Sequence, residues 1–317
     1  MKSIKTTIIA AAVLSAAAFT AQAQPAGFLE VNPDPVALGM AGTGTVLEST
    51  PYAMWNNIAS TALDEQKFQV GASYTLWNTS ADKAAAPGPF NAVAVAGYGR
   101  VARFMTVSAG LRYFGGQPLS ITSDGVNISQ FSPIDLEAGV GFGFRILPIL
   151  SLGANVNYVH SALSKDAKGG AVSADFGALV DLKFMRIGVT ASNIGSKISY
   201  GAAAYQLPAN VKLGLGTEQH FGQEDKHAVA VNLEGGLTFE ESSFFAGLGA
   251  QYAYNDMFRV SAGYHYGDAD KMYYGSYASV GLGFKIIGIS FNAAYLIGTD
   301  KNSPLTNTFT LGLGFEF

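Results

Sequence analysis

The sequence contains no cysteine, which excludes disulfide bonds, a lipid-modified N-terminal cysteine and metal sites built on thiolates. Charged residues are scarce at 13% of the chain, whereas an ordinary globular protein has about 25%. The formal net charge of −4 gives no basic face of the kind that nucleic-acid binding requires. The glycine-rich phosphate loops and the G-x-S-x-G nucleophile motif are also missing. We therefore expect no enzyme activity, no cofactor, no metal and no nucleic-acid partner.

Long hydrophobic runs are confined to the N-terminus. Lys2 and Lys5 precede an apolar stretch over residues 8–19, and the small residues Ala21 and Ala23 follow it, which is the pattern of a signal peptide cleaved after Ala23. Beyond this point no apolar run reaches the ~18 residues that a membrane helix requires. Hydrophobic residues nevertheless make up 49% of the chain. Many apolar residues without a helical span favour a β-barrel, the other fold that pairs every backbone group in lipid.

From Phe68 onward, the chain divides into segments in which apolar and polar residues alternate with the period of two that is typical of strands. The segments are fourteen in number, and an even count is typical of single-chain bacterial barrels. They cover residues 68–78, 91–101, 104–116, 135–146, 150–163, 170–182, 185–196, 209–221, 227–239, 243–255, 257–268, 274–286, 287–299 and 307–317. We predict an all-β, 14-stranded antiparallel transmembrane β-barrel in the outer membrane.

The two faces of these segments differ in character. In the last segment, Phe309, Leu311 and Leu313 share one face, and Gly312 and Gly314 share the other. Because the second face carries glycine and charge in one segment after another, we predict that the apolar face contacts outer-membrane lipid. Tight turns and longer loops also alternate along the chain, which assigns the tight turns to the periplasmic side. The connection 240–242 is an exception, because it is short although it falls on the side of the longer loops.

The C-terminal strand carries a second signal. Gly312, Phe315 and the terminal Phe317 resemble the motif that the outer-membrane insertion machinery reads. That machinery is therefore an expected partner. The alternative is an ordinary amphipathic strand that ends in phenylalanine.

The region before the first strand has a different pattern. Its glycine-rich stretch suits neither a strand nor a helix, and residues 49–51 read as an N-cap followed by proline, which predicts a short helix through Trp55. We divide the chain into a signal peptide (1–23), an N-terminal plug or hatch (24–67) and the barrel (68–317).

Pairs of glycines on the inward face of the strands could accommodate this plug inside the barrel. They either leave room for it or relieve crowding where strands bend, and the sequence favours both interpretations equally. The pairs are Gly141/Gly143, Gly214/Gly216, Gly247/Gly249, Gly281/Gly283 and Gly312/Gly314. Candidate plug and lumen residues are Met40, Met54, Trp55 and Asn56.

Few other residues suggest chemistry. Asp135 and Glu137 share an inward face, and we expect them to be solvated or matched by cations such as Arg145. None of the four histidines has a zinc-binding spacing. They are His160, His220, His227 and His265.

Residues 33–44 (PDPVALGMAGTG) and 52–56 (YAMWN) resemble the N-terminal signature of the PorV/PorQ family of Bacteroidota, an "lGMgGa" run followed by "WNPA". Two further stretches are similar to that family, namely 193–195 leading to 207–214, and 302–305 before the final strand. The likeness therefore covers the start, middle and end of the mature chain.

The sequence departs from the signature at Asn57, where the family usually has proline. The wider resemblance is to FadL-type barrels, which have fourteen strands and an N-terminal plug. That number matches the count obtained from alternation alone.

The family resemblance implies a role in or beside the type IX secretion system, in which such barrels bind secreted cargo at the outer face or help to attach it. Secreted cargo and secretion components would then be partners. The loops 79–90 and 117–134 are the candidate cargo sites, and a cargo strand can pair with such a loop by strand addition. Alternatively, the apolar residues of the second loop form a lid over the barrel mouth. These residues are Leu119, Ile121, Val126, Ile128 and Phe131.

The alternative function is uptake of a small hydrophobic molecule, as in FadL-type barrels, with residues 24–67 as a movable hatch. Met40, Met54 and Trp55 would then line an apolar path. The other interpretation of these three side chains is simple packing of the plug, since methionine commonly fills irregular cores.

Overall fold

The structure is a computed structural model. It describes residues 26–77, 90–116, 119–123, 126–165, 167–182, 184–201, 203–240, 242–268, 271–272, 274–299, 303 and 305–317. The predicted signal peptide and nearly all of loop 79–90 lie outside the described residues.

Strands dominate the described part of the chain. They are β1 (Phe68–Trp77), β2 (Phe90–Ala102), β3 (Met105–Gly115), β4 (Leu119–Ser123), β5 (Val126–Phe131), β6 (Ile134–Leu147), β7 (Leu150–Ala162), β8 (Lys168–Leu182), β9 (Met185–Gly195), β10 (Ile198–Ser199), β11 (Ala204–Tyr205), β12 (Asn210–Phe221), β13 (His227–Thr238), β14 (Ser243–Tyr254), β15 (Phe258–Tyr266), β16 (Tyr277–Ile286), β17 (Ile289–Gly298) and β18 (Thr308–Glu316).

Fourteen of these strands form one closed antiparallel barrel. Each pairs with its neighbours along the chain, and β1 pairs with β18, with Tyr74 opposite Leu311, so that the sheet has no free edge. The predicted strand count is confirmed. The prediction omitted β4–β5 and β10–β11, two small hairpins within the predicted loops 117–134 and 197–208. Alternation over so few residues is a weak signal, although Asp124-Gly125 is a dipeptide typical of hairpin turns.

The outer surface of the barrel is apolar. Leu282 is 66% exposed and Phe291 is 53% exposed, whereas Ser279 and Asn232 on the opposite face are buried. Soluble monomers rarely expose apolar patches of more than a few hundred Å². A band of this kind around the whole barrel therefore faces lipid, as the alternation predicted.

Tight turns lie at one end of the barrel and longer connections at the other. Asn255 and Asp256 both have positive φ (55° and 52°), as do Ile287 and Gly288 (50° and 74°). Two successive residues of this kind make the hairpin turn whose twist matches that of the flanking strands. The chain end lies on the same side, where the Phe317 carbonyl accepts hydrogen bonds from the backbone N–H groups of residues 67 and 68 at 2.9 and 3.0 Å. This is the predicted periplasmic side.

Residues 26–67 lie inside the barrel, and we call them the luminal segment. The segment contains a 3₁₀ turn (Gly27–Glu30) and the short helices Pro35–Gly39, Ala53–Asn56 and Ser60–Leu63. No helix in the described part of the chain has the length and apolar character needed to cross a membrane.

The helix predicted from residues 49–51 through Trp55 begins later, at Ala53, and has no side-chain cap. The Thr50 hydroxyl donates to Asp34 Oδ2 at 2.7 Å, so its main partner is a carboxylate rather than the helix N-terminus. Asp34 itself caps the earlier helix, since its Oδ1 accepts from the Val36 N–H at 2.9 Å.

Inward glycines let the luminal segment approach the barrel wall. A Cβ on Gly249 would lie 2.5 Å from the Met40 carbonyl oxygen, and one on Gly312 would lie 2.6 Å from Pro35 Cγ. Such distances are too short for real Cβ contacts, so the wall can meet the segment only where a side chain is absent.

Two of the paired glycines behave differently. A Cβ on Gly283 would first meet Asn292 Oδ1 at 2.8 Å, and one on Gly314 would first meet Ser290 Oγ at 2.5 Å. Both of these partners belong to the neighbouring strand. Glycine therefore makes room for the luminal segment at eight of the ten paired positions and serves the wall alone at these two. It does both at Gly141, Gly143, Gly216 and Gly281.

Replacing Gly249 by alanine is expected to destabilise the packing of the luminal segment by about 1–3 kcal/mol, because the added methyl group overpacks the contact with Met40. The strand pairing of the barrel should survive. Limited proteolysis in detergent should cut the luminal segment faster, while the barrel keeps its altered gel migration without heating.

The matched control is Gly235→Ala on the lipid-facing side, where an added Cβ meets no atom closer than 3.7 Å. Equal protease resistance of the Gly249→Ala and Gly235→Ala variants would contradict the seating of the luminal segment on Gly249.

Candidate functional site

A buried arginine connects the luminal segment to the barrel wall. Arg112 of β3 faces Glu137 of β6 in the strand register and forms an ion pair with it. Its guanidinium lies 5.3 Å from the Phe28 ring centroid and 5.6 Å from that of Trp55. It also donates to the Val31 carbonyl at 3.1 Å. Cation–π contacts and charge-assisted hydrogen bonds are stronger away from water, so Arg112 fixes the start of the luminal segment.

Of the expectation that Asp135 and Glu137 are solvated or matched by lumen cations such as Arg145, the cation partner is confirmed for Glu137, but it is Arg112 and not Arg145. The Arg145 guanidinium donates to the Ala62 carbonyl at 2.8 Å instead. Arg145 lies eight residues further along β6 than Glu137, toward the tight-turn end, whereas Arg112 is directly opposite Glu137 on the neighbouring strand.

A polar network stabilises the luminal segment from within. Asp34 is fully buried, and its Oδ2 accepts from the Asn56 amide at 2.7 Å. The Asn56 Oδ1 accepts in turn from the Asn32 amide at 2.5 Å. Burial raises the pKa of the Asp34 carboxyl, and the hydrogen bonds from Thr50, Val36 and Asn56 oppose that rise.

Hydrogen bonds also join the luminal segment to the wall around the barrel. The Thr45 N–H donates to Glu234 Oε2 at 2.9 Å, and the Ala41 N–H donates to Ser279 Oγ at 3.0 Å. On the opposite side, the Asn155 amide donates to the carbonyl of Met54 at 2.5 Å. These bonds supply partners for backbone groups that have no sheet of their own.

The sequence-predicted plug residues do not line a common path. Met40 is fully buried against Gly249, while Met54 packs near Gly110 on the β3 side. Asn56 belongs to the Asp34 network. Of the four candidates, Trp55 alone borders the cavity described next.

A cavity of about 80 Å³ lies between the luminal segment and the wall, in the half of the barrel away from the tight turns. Part of its lining is apolar or aromatic, and this part comprises Leu29, Leu38, Phe245, Met272, Tyr274, Tyr277, Leu296 and Leu305. The other part is polar and includes Arg112, Asp175, Asn193, Asn210, Lys212 and Glu234. The site is thus amphipathic.

An aromatic cluster forms the apolar side of the cavity. The His265 ring stacks on Tyr277 at a centroid distance of 4.9 Å and on Phe245 at 5.8 Å. Tyr274 lies 5.7 Å from the same ring, and its hydroxyl donates to the Glu30 carbonyl at 2.8 Å. The cluster therefore combines strands β14–β16 with the luminal segment.

An apolar core covers the outer end of the lumen beside the cavity. Phe28 of the luminal segment stacks on Phe114 at 6.4 Å. Ile198, Leu207 and Leu305 from the longer connections are buried in the same cluster. The outer connections therefore fold inward over the lumen.

The outer-loop candidates come together in the β4–β5 hairpin. In its register, Leu119 lies opposite Phe131 and Ile121 opposite Ser129. Val126 lies opposite Ser123 at the end of the hairpin, and Ile128 lies on β5. The insertion-signal candidates lie elsewhere: Phe315 and Phe317 are exposed at the periplasmic end, and Gly312 faces Pro35 inside the barrel.

Sequence reasoning missed several residues around the cavity. Arg112, Lys212 and Glu234 are charged residues within otherwise apolar strands, and that placement was a usable signal. His265 was noted only as a histidine without metal spacing. His220 lies on β12 and His227 on β13, on either side of the turn 222–226.

The fold and the luminal segment define the class of protein: a fourteen-stranded outer-membrane β-barrel whose N-terminal segment lies in its lumen. No protein-family model matches the chain, and no curated protein matches it in sequence.

Solved structures with the same fold do match. The toluene transporter TodX of Pseudomonas putida has a TM-score of 0.66 at 15% identity, covering 89% of this chain and 97% of TodX. The CymD monoaromatic hydrocarbon channel has a TM-score of 0.64 at 14% identity, covering 90% and 98%. A FadL homologue of Pseudomonas aeruginosa has a TM-score of 0.53 at 13% identity, covering 90% and 98%. At these identities the likeness establishes the fold.

Replacing Arg112 by methionine should destabilise the protein by roughly 3–5 kcal/mol, because Glu137 would remain buried without its partner. Thermal unfolding in detergent, followed by circular dichroism, measures the loss. The double change Arg112→Met/Glu137→Leu removes the unpaired carboxylate as well, so it should recover much of the lost stability.

Arg103→Met in the exposed β2–β3 turn is the matched control and should leave the unfolding curve unchanged. If Arg112→Met unfolds at the same temperature as this control, the ion pair does not stabilise the luminal segment.

Proposed function

We propose that this protein is an outer-membrane channel for small hydrophobic molecules, with the luminal segment as its plug. The carrying observation is the partly apolar cavity between the luminal segment and the outer half of the wall. Ligand sites in proteins are concave and mostly apolar, with a few polar groups that fix orientation. A molecule that enters from the outer side would meet this cavity first and then the plug.

The fold likeness supports the same proposal. TodX is described as a toluene transporter and CymD as a monoaromatic hydrocarbon channel, and both share the barrel with this chain. A shared fold alone does not imply a shared function. The cavity is therefore the main support for the proposal, and the fold likeness is additional support.

Transport requires the luminal segment to move. Arg112 holds its start, but the rest of the segment lies against wall glycines and bonds to the wall through separate hydrogen bonds rather than a sheet. Each such bond contributes only about 0.5–1.5 kcal/mol, so the contacts can be exchanged in a local opening. The hydrogen-bonded barrel wall need not change.

A reversible cross-link between plug and wall tests this mechanism. Val46 Cβ lies 3.3 Å from the position of a Cβ on Gly216, close to the ~3.5–4.5 Å that a disulfide spans. Val46→Cys/Gly216→Cys should block uptake of radiolabelled toluene by expressing cells when oxidised, and a reductant should restore it. The natural chain contains no cysteine, so no other disulfide can interfere.

The matched control is a cross-link within the wall. Ser290 Cβ lies 3.9 Å from a Cβ on Gly314 in the neighbouring strand. Ser290→Cys/Gly314→Cys should not change uptake in either redox state. Equal uptake by the oxidised plug variant and this control would reject the luminal segment as the gate.

Secretion, the function that the family resemblance implies, remains a second candidate. The observation that favours it is the β4–β5 hairpin, a two-stranded sheet separate from the barrel. The outer edges of such a hairpin carry unpaired backbone groups, which a strand of secreted cargo can join.

Deleting residues 119–131 separates the two candidates. The secretion role predicts loss of cargo that co-purifies with the tagged barrel from its native membrane, with normal barrel insertion. Toluene uptake that persists while co-purified cargo is absent from both the intact and the shortened protein would reject secretion and support the channel.

A further inference from the structure

The charges around the cavity disfavour an anionic ligand. Both lining cations already have carboxylate partners: Arg112 pairs with Glu137, and Lys212 Nζ lies 3.7 Å from Glu234 Oε1. A carboxylate ligand would have to compete for these cations inside the lumen.

Asp175 adds negative charge on the same side. Its described hydrogen bonds come from neutral groups, namely the Asn157 amide at 2.6 Å, the Asn155 amide at 3.4 Å and the Asn193 backbone N–H at 2.7 Å. These donors satisfy the carboxylate without neutralising it. The electrostatic field in the cavity therefore favours a neutral or cationic ligand over an anion.

A buried ring nitrogen on the aromatic side lacks a partner. His265 lines the cavity and is 5% exposed. Its Nε2 has no hydrogen-bond partner among the described residues. When the neutral ring carries its proton on Nδ1, Nε2 is an acceptor. A ligand that donates a hydrogen bond can satisfy it.

We propose that the cavity binds a small ring compound that carries a hydrogen-bond donor and no negative charge, as an aromatic alcohol or amine does. Its ring packs against the cluster of Phe245, Tyr274 and Tyr277, and its O–H or N–H donates to His265 Nε2. The proposal deepens the channel function and rests on it. The cavity then selects among hydrophobic molecules by their polarity and charge as well as by apolar contact.

The cavity must enlarge locally to hold a single ring. The volume of about 80 Å³ is smaller than the roughly 150 Å³ of an engineered cavity that binds benzene. Met272 lines the cavity, and its side chain has the rotational freedom to enlarge it. A single ring therefore fits after a local shift, whereas larger ring systems require displacement of the luminal segment.

Four probes with the same ring test the proposal: benzyl alcohol, benzylamine, toluene and benzoate. Titration calorimetry on the full-length barrel in detergent, with micelle blanks subtracted, gives their affinities. Benzyl alcohol and benzylamine should each have a dissociation constant at least about fivefold lower than that of toluene, as expected for one additional hydrogen bond. Benzoate should bind more weakly than all three.

Substitution at His265 identifies the acceptor. His265→Phe keeps a ring but removes the nitrogen, so the advantage of the alcohol and amine over toluene should disappear. His265→Gln supplies another acceptor and should restore part of that advantage. His160→Phe on the outward face of β7 is the matched control and should leave all four affinities unchanged.

Three results would overturn the proposal: toluene binding as tightly as benzyl alcohol, benzoate binding as tightly as either donor, or no binding of any probe. The wild-type series decides this even if the variants fold poorly. Toluene uptake by expressing cells is a separate readout, so the channel function can stand when this ligand class is rejected.

Discussion

Hydrocarbon offers no hydrogen-bond partner to a backbone N–H or C=O, and this constraint determines the architecture. In this protein the strands satisfy it by pairing with one another around a closed circle. The closing pair, β1 with β18, is therefore as important as any other in the sheet. Once the sheet is closed, alternate side chains must face lipid or lumen, and the sequence separates apolar residues from glycine, polar and charged ones accordingly.

The interior has the opposite requirement, because the luminal segment brings backbone groups that no strand can pair. Inward glycines bring the wall within reach of that segment, and inward polar side chains such as Ser279 and Asn155 then bind its backbone. Arg112 extends this principle, since it joins a wall carboxylate to two aromatic rings and a carbonyl of the segment. The result is a lumen filled by the segment, with the amphipathic cavity beside it. Polar side chains that hold the luminal segment, such as Arg112, also line this cavity.

Much of the fold could be predicted from local pattern, because lipid enforces a period of two in every strand. The last segment, from Thr308 to Glu316, illustrates this: its outward phenylalanines and leucines and inward glycines are visible in the sequence. The cavity could not be predicted in the same way. His265, Arg112 and Tyr274 lie on different strands or loops, and only barrel closure and the path of the luminal segment bring them close. The ion-pair partner of Glu137 could not be predicted for the same reason, because the cross-strand register decides between Arg112 and Arg145.

The central claim is that residues 26–67 lie packed inside the closed barrel. Hydrogen–deuterium exchange on the detergent-solubilised protein tests it most directly, because backbone amides inside the lumen exchange only when the segment opens. The account predicts that peptides covering residues 40–46 exchange slowly, at rates near those of the strands and far slower than the turn 222–226. Exchange of residues 40–46 as fast as that turn would contradict it.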